Sequence, residues 1–141
     1  MAKKDEIVAR ARALVGVRFR PQGRSAEFGL DCIGVAIVAT GTDPWRVRRN
    51  YGPRSSDPEA MVAQLDACGF IRLAPPQAEA GDLLVVQAGP MQLHVLILTD
   101  IGFLHADARL RRVVEVPGRV PWPVLSAWRC PGEDVAAVRL H

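Results

Sequence analysis

The pattern of the chain changes at Gly81, and that switch limits the possible folds more than any other feature. Beyond it lie short runs of β-forming residues at 83–86, 93–98, 102–105, 113–116 and 125–129, separated by turn residues. Residues 99–102 read as a hairpin turn. Before Gly81 the apolar residues recur at helical spacing. Ile7, Val8, Ala11, Leu14 and Val15 predict a first helix over 5–15, stopped by Gly16. A loop over 16–30 carries Pro21, Gly23, Ser25 and Gly29. Asp31 opens a second helix from Cys32 to about Thr40, ended by Gly41 and apolar nearly all round, as a buried central helix is. After an irregular stretch at 42–56, Asp57-Pro58 starts a third helix, with Ser56 or Asp57 as cap and Gly69 at its end. Residues 70–73 make a short strand candidate and 75–80 a linker. Helices first and an antiparallel sheet second define an α+β chain.

Size and charge narrow the function classes. The 141 residues fit one domain with a core over about 5–130, and 49% apolar residues are enough to fill it. The net charge is only +3. Lys3 and Lys4 are the only lysines, so 18 − 2 = 16 cations are arginines. They are spread out, with small clusters at Arg46, Arg48, Arg49 and at Arg109, Arg111, Arg112. No basic run with interleaved aromatics marks a nucleic-acid surface. A solvated arginine-rich face is one reading, and attraction to an anionic cell-wall polymer or phospholipid is the other. No run reaches the roughly 18 to 20 apolar residues of a membrane span. Residues 1–14 are charged and unlike a signal peptide, so synthesis in the cytoplasm without a leader is expected. Three cysteines without a Cys-x-x-Cys pair argue against a disulfide framework or a cysteine-rich zinc site, and no cofactor is expected.

Chemistry concentrates where Cys32 meets the start of the second helix. A helix N-terminus carries partial positive charge and unpaired N–H groups, which favour thiolate over thiol and can hold an oxyanion. A buried, inert cysteine is the structural alternative. His94 begins one apolar strand and His105 ends the next. If those strands form the expected hairpin, the two imidazoles lie at neighbouring strand ends, cross-strand partners being about 5 Å apart. A nucleophile, a base and an orienting group make the general acyl-transfer triad. A zinc centre with the same three ligands is a weaker alternative, since no fourth-ligand motif accompanies them. Elsewhere, Asp31 reads as a helix cap first and a substrate contact second. Cys68 and Cys130 read as small packing residues, Trp122 and Trp128 as core or rim, and Asp82 and Asp100 as turn residues. Trp45 and Tyr51 could line a cleft, and His141 reads as a solvated terminus.

Gly16-Val17-Arg18-Phe19, Gly29-Leu30-Asp31-Cys32-Ile33-Gly34, Gly81-Asp82-Leu83-Leu84, His94-Val95 and Phe103-Leu104-His105-Ala106 follow one another in an order that resembles the NlpC/p60 cysteine peptidases. The resemblance implies a papain-like fold, with N-terminal helices bearing the nucleophile packed on a small antiparallel sheet bearing the base. It assigns Cys32 as nucleophile, His94 as general base and His105 as the residue orienting His94, with oxyanion or substrate support near Phe19 and Asp31. It further implies hydrolysis of peptidoglycan stem peptides beside a γ-D-glutamyl–diaminopimelate linkage. Gln22-Gly23-Arg24-Ser25 ahead of Gly29-Leu30-Asp31-Cys32 is similar to the phage-tail and gene-transfer-agent peptidases, which implies tail proteins as partners and action in the cell envelope. Three positions depart from the family: Phe19 replaces its usual tyrosine, Gln22 stands in its Gly-Gly pair, and Ile33 replaces a frequent serine. The Phe19 loop leaves open a tail-tip assembly protein with an altered site.

Overall fold

The computed structural model describes residues 3–42, 57–90 and 92–131. Among the described residues three α-helices, α1 (Lys4–Ala13), α2 (Cys32–Thr40) and α3 (Pro58–Ala67), precede most of the sheet. Between α1 and α2 two short strands, β1 (Arg24–Ser25) and β2 (Gly29–Leu30), pair with each other. The main sheet holds β3 (Ile71–Leu73), β4 (Leu83–Gly89), β5 (Gln92–Leu98), β6 (Gly102–Asp107), β7 (Arg112–Pro117) and β8 (Val124–Arg129). All its pairings are antiparallel, in the order β3-β8-β4-β5-β6-β7. The α+β expectation therefore holds. Among the described residues no helix is long and apolar enough to cross a membrane.

Both faces of the sheet are covered, which explains why Leu83-Leu84-Val85-Val86 is a continuous apolar run rather than an alternating one. Leu83, Val85, Val95, Ile97, Leu104, Ala106 and Trp128 pack against the helices with Ile7, Ala11, Val35 and Ile37. On the opposite face Leu84, Val86, Leu96, Phe103 and Ala127 are covered by Leu73, Leu98, Val120 and Trp122. His94 and His105 belong to this second face, since side chains alternate along a strand.

Local chemistry sets the element ends. The Asp31 carboxylate accepts from the N–H of Gly34 and caps α2, and Gly41 closes that helix in the left-handed region at φ 71°. Asp57 caps α3 through the N–H groups of Glu59 and Ala60, ahead of Pro58 in the first turn. The first helix stops at Ala13, short of the expected Val15, because the next residues turn to join the sheet: Gly16 N–H donates to Val113 O at 2.9 Å. Asp82, expected to be a turn residue, is fully buried and ion-paired with Arg129 at 2.8 Å. Expectations for Trp45, Tyr51, Ser56, His141, the cluster at Arg46, Arg48 and Arg49, and the tail beyond Pro131 lie outside the described residues.

Candidate active site

The start of α2 is held by the residues that precede it. One oxygen of Asp31 accepts from Gly34 N–H at 2.8 Å and from an Arg24 guanidinium N–H at 2.9 Å; the other accepts from Gln22 N–H at 2.9 Å. Arg24 and Asp31 side chains are each only 8% exposed, so the ion pair is shielded from water. Gly34 explains itself sterically. A Cβ there would sit 2.0 Å from the carbonyl oxygen of Gly23, so only glycine lets the 20–23 loop close over the first turn of the helix. The Asp-Cys-Ile-Gly run thus reads as one device: Asp31 and Gly34 fix the helix end, and Cys32 is carried by it.

The sheet supplies the imidazoles through an interrupted ladder. Strands β5 and β6 pair only at Ile97↔Leu104 and Leu98↔Phe103 and then part. Leu98 N–H donates to Asp82 O toward β4, so by alternation the N–H of Val95 points to the β6 side, where the ladder has stopped. The Cys32 sulfur lies within reach of that N–H and of the N–H of Ile33, both of which favour its charged form. The sulfur therefore occupies the gap between the strands, against the backbone of the residue that follows His94. Across the same gap His94 Nε2 and His105 Nδ1 are hydrogen-bonded at 2.7 Å, with the rings edge to face at 4.9 Å between centroids. The two histidines occupy diagonal positions on one face, as the hairpin expectation required.

The three side chains line one cleft of about 440 Å³. Its walls include Phe19, Gln22, Leu93, Asp107, Arg109 and Trp122. Trp122, expected to be core or rim, packs edge-on against both imidazoles, 5.8 Å from His94 and 5.5 Å from His105 between ring centroids. The Pro-flanked loop between β7 and β8 carries it there, and nothing in the local sequence period announces that placement. Asp107, which sequence reasoning passed over, lies two residues beyond His105, with its Oδ2 3.9 Å from His105 Nε2.

Burial governs the electrostatics of the site. It pushes the Cys32 thiol up to about 12, with Asp31 adding to the rise; the two backbone N–H groups and Arg24 oppose it. The expected lowering by the helix end is thus overridden, because the gap strips most of the water from the sulfur while the neighbouring carboxylate repels a second negative charge. Burial lowers His94 to about 4, and His105 pushes it the same way; Asp107 works against both. His105 is lowered by burial and raised by Asp107. Thiol and imidazoles are therefore neutral at rest. Cys32 as a residue is only half-buried, so the sulfur can still be approached from the cleft. No disulfide involves Cys32, Cys68 or Cys130, and among the described residues no group of three or more His, Cys, Asp or Glu side chains could hold a metal ion.

No protein-family profile and no curated protein sequence matches the chain. Solved structures do. An NlpC/p60 family protein from Bacillus cereus ATCC 10987 aligns with a TM-score of 0.61 and 20% identity, over 90% of this chain and 40% of that one. The peptidoglycan hydrolase RipB from Mycobacterium tuberculosis aligns with a TM-score of 0.59 and 21% identity, over 90% of this chain and 64% of its own. RipD from the same organism is described as a non-catalytic NlpC/p60 domain protein adapted to peptidoglycan binding. It aligns with a TM-score of 0.54 and 21% identity, over 89% of this chain and 95% of its own. The chain thus spans less than two thirds of the first two. At such identities the likeness defines the architecture: the chain has the NlpC/p60 fold.

Proposed function

We propose that the protein is a cysteine peptidase hydrolysing peptidoglycan stem peptides, with Cys32 as nucleophile, His94 as base and His105 as the residue that orients His94. The observation that carries this reading is the shared cleft, in which the Cys32 sulfur abuts the backbone at Val95 while His94 Nε2 is bound to His105. That bond commits Nε2 of His94, so Nδ1 is the nitrogen left to take a proton from sulfur. In the productive tautomer His94 carries hydrogen on Nε2 and donates it to His105 Nδ1. As the sulfur attacks the substrate carbonyl, its proton passes to His94 Nδ1. The imidazolium then returns that proton to the leaving amine, and a water activated by His94 hydrolyses the thioester.

The resting pair is a thiol beside a neutral imidazole. Charge appears in both partners together, and each new charge stabilises the other, an interaction the neutral pair lacks. Phe19 has no hydroxyl to offer the oxyanion, so that role falls to the backbone N–H of Cys32 at the start of α2, since the Gly34 and Val35 N–H groups are taken by Asp31. Phe19 contributes an apolar wall, and Asp31 acts by fixing the helix end. The γ-D-glutamyl–diaminopimelate linkage, a catalytic unit over about residues 5–130, and service in a phage-like or gene-transfer-agent tail acting at the cell envelope complete the proposal. They rest on the sequence resemblance.

A second reading is favoured by Phe19 and by the raised thiol: a peptidoglycan-binding or tail-tip structural protein with an altered site. Mass spectrometry of muropeptides after incubation separates the two. The peptidase releases stem-peptide fragments, and Cys32→Ala abolishes that release while its thermal melt stays cooperative. Fragment release by Cys32→Ala equal to wild type would overturn the assignment. Retention of the wild-type protein on sedimented peptidoglycan without any cleavage would favour the second reading.

A further inference from the structure

We propose that Asp107 is a positioning residue that completes a chain running from Cys32 through His94 and His105: it fixes the tautomer of His105 and supports the positive charge that develops on the histidine pair. This role rests on the peptidase reading given above.

Three observations place Asp107 there. Its Oδ1 accepts the N–H groups of Arg109 at 2.8 Å and Leu110 at 3.1 Å, which locks the carboxylate at the start of the β6–β7 turn. That lock leaves Oδ2 turned toward His105 Nε2, 3.9 Å away. The β5–β6 register, continued past its two pairs, also sets Asp107 on the same sheet face as His94 and His105. Three groups on adjacent strand ends therefore stand in sequence, each facing the next.

The chemistry follows from the hydrogen inventory. His94 acts as a base at Nδ1 only if its hydrogen is on Nε2, and then His105 Nδ1 must be the acceptor. His105 consequently carries its own hydrogen on Nε2, the nitrogen that faces Asp107. A carboxylate there favours that tautomer and disfavours the reverse, which would point a lone pair at a negative charge. A distance of 3.9 Å is too long for a hydrogen bond and suits an ion pair. The interaction therefore strengthens when the pair becomes cationic, as it does once the thiol proton has moved. Asp107 raises both histidines, the Arg109 charge lowers Asp107 and Arg112 is its cross-strand partner on β7, while across the cleft Arg24 and Asp31 act on the sulfur.

The test compares Asp107→Asn and Asp107→Glu with wild type. Asparagine keeps an oxygen for the Arg109 and Leu110 N–H groups, so the turn is retained while the charge is lost. Proton–nitrogen NMR of His94 and His105 follows titration and tautomer without any substrate, and pH profiles of kcat/KM on muropeptides follow the chemistry. In Asp107→Asn the histidines titrate at lower pH, His105 loses its Nε2–H preference, the acid limb moves down, and kcat/KM falls about tenfold. Asp107→Glu restores part of each. Unchanged histidine titration and an unchanged acid limb in a folded Asp107→Asn protein would reduce the residue to a turn cap and overturn the proposal. A wild-type protein that cleaves nothing, but whose histidines shift in Asp107→Asn, would instead sink the peptidase reading and leave the electrostatic link standing.

Discussion

The two halves of the cleft are built on different principles. The helix half is held by polar bonds and close backbone contact: a capping carboxylate, a buried ion pair and a glycine with no room for a side chain fix Cys32 where α2 begins. The sheet half is held by side chains: His94, His105, Phe103 and Trp122 lean on one another beside a ladder that ends after two residue pairs. Damage to the first should therefore register as lost stability. Damage to the second should register as altered rate and altered titration in a protein that still folds.

The largest contrast comes from opposing substitutions. On the peptidase reading, His94→Ala is expected to lower kcat/KM on muropeptides by about a thousandfold, through loss of the proposed base, while the melting temperature changes little. Arg24→Ala takes the cation from the Asp31 carboxylate at 8% exposure, leaving its N–H donors Gly34 and Gln22, and is expected to cost about 3 kcal/mol of unfolding free energy, read by urea denaturation. If Arg24→Ala leaves stability intact, the division between the halves fails on the helix side.

Smaller effects sharpen the same contrast. Trp122→Ala admits water to the imidazoles and relieves the desolvation that holds His94 near 4. Its titration should move up toward 6.5, with a several-fold fall in activity; an unmoved value would mean the indole does not seal the pair. Linkage gives a stability signature as well. A histidine held below its unfolded value contributes stability above about pH 6.5, where both states are neutral. That contribution is lost as pH falls toward about 4, because the unfolded chain binds the proton first. The midpoint of unfolding should therefore drop between pH 7 and pH 4, and drop less in Trp122→Ala.

Legibility from sequence followed the range of the physics involved. The bounds of α2 could be read directly, since Asp31 and Gly41 are local signals acting on their own helix. So could the pairing of His94 with His105, because a hairpin relates two adjacent strands. Strand β6 was expected to end at His105 but runs on to Asp107, and the carboxylate beside His105 was lost with those two residues. Trp122 and the Arg129–Asp82 pair depend on where distant segments cross, which no periodicity encodes. The thiol of Cys32 shows the same limit. A helix-end argument is local, whereas the burial that outweighs it comes from a gap between two strands 60 residues away.

That gap gives the protein a built-in gauge of the state of Cys32. The amide of Val95 faces the Cys32 sulfur where a strand would otherwise have been. Carboxymethylating Cys32 forces a bulky group into that gap and disturbs the contact at the amide. Deuterium uptake at one backbone position in the middle of a strand then reports, residue-specifically, how much of the protein carries a modified Cys32.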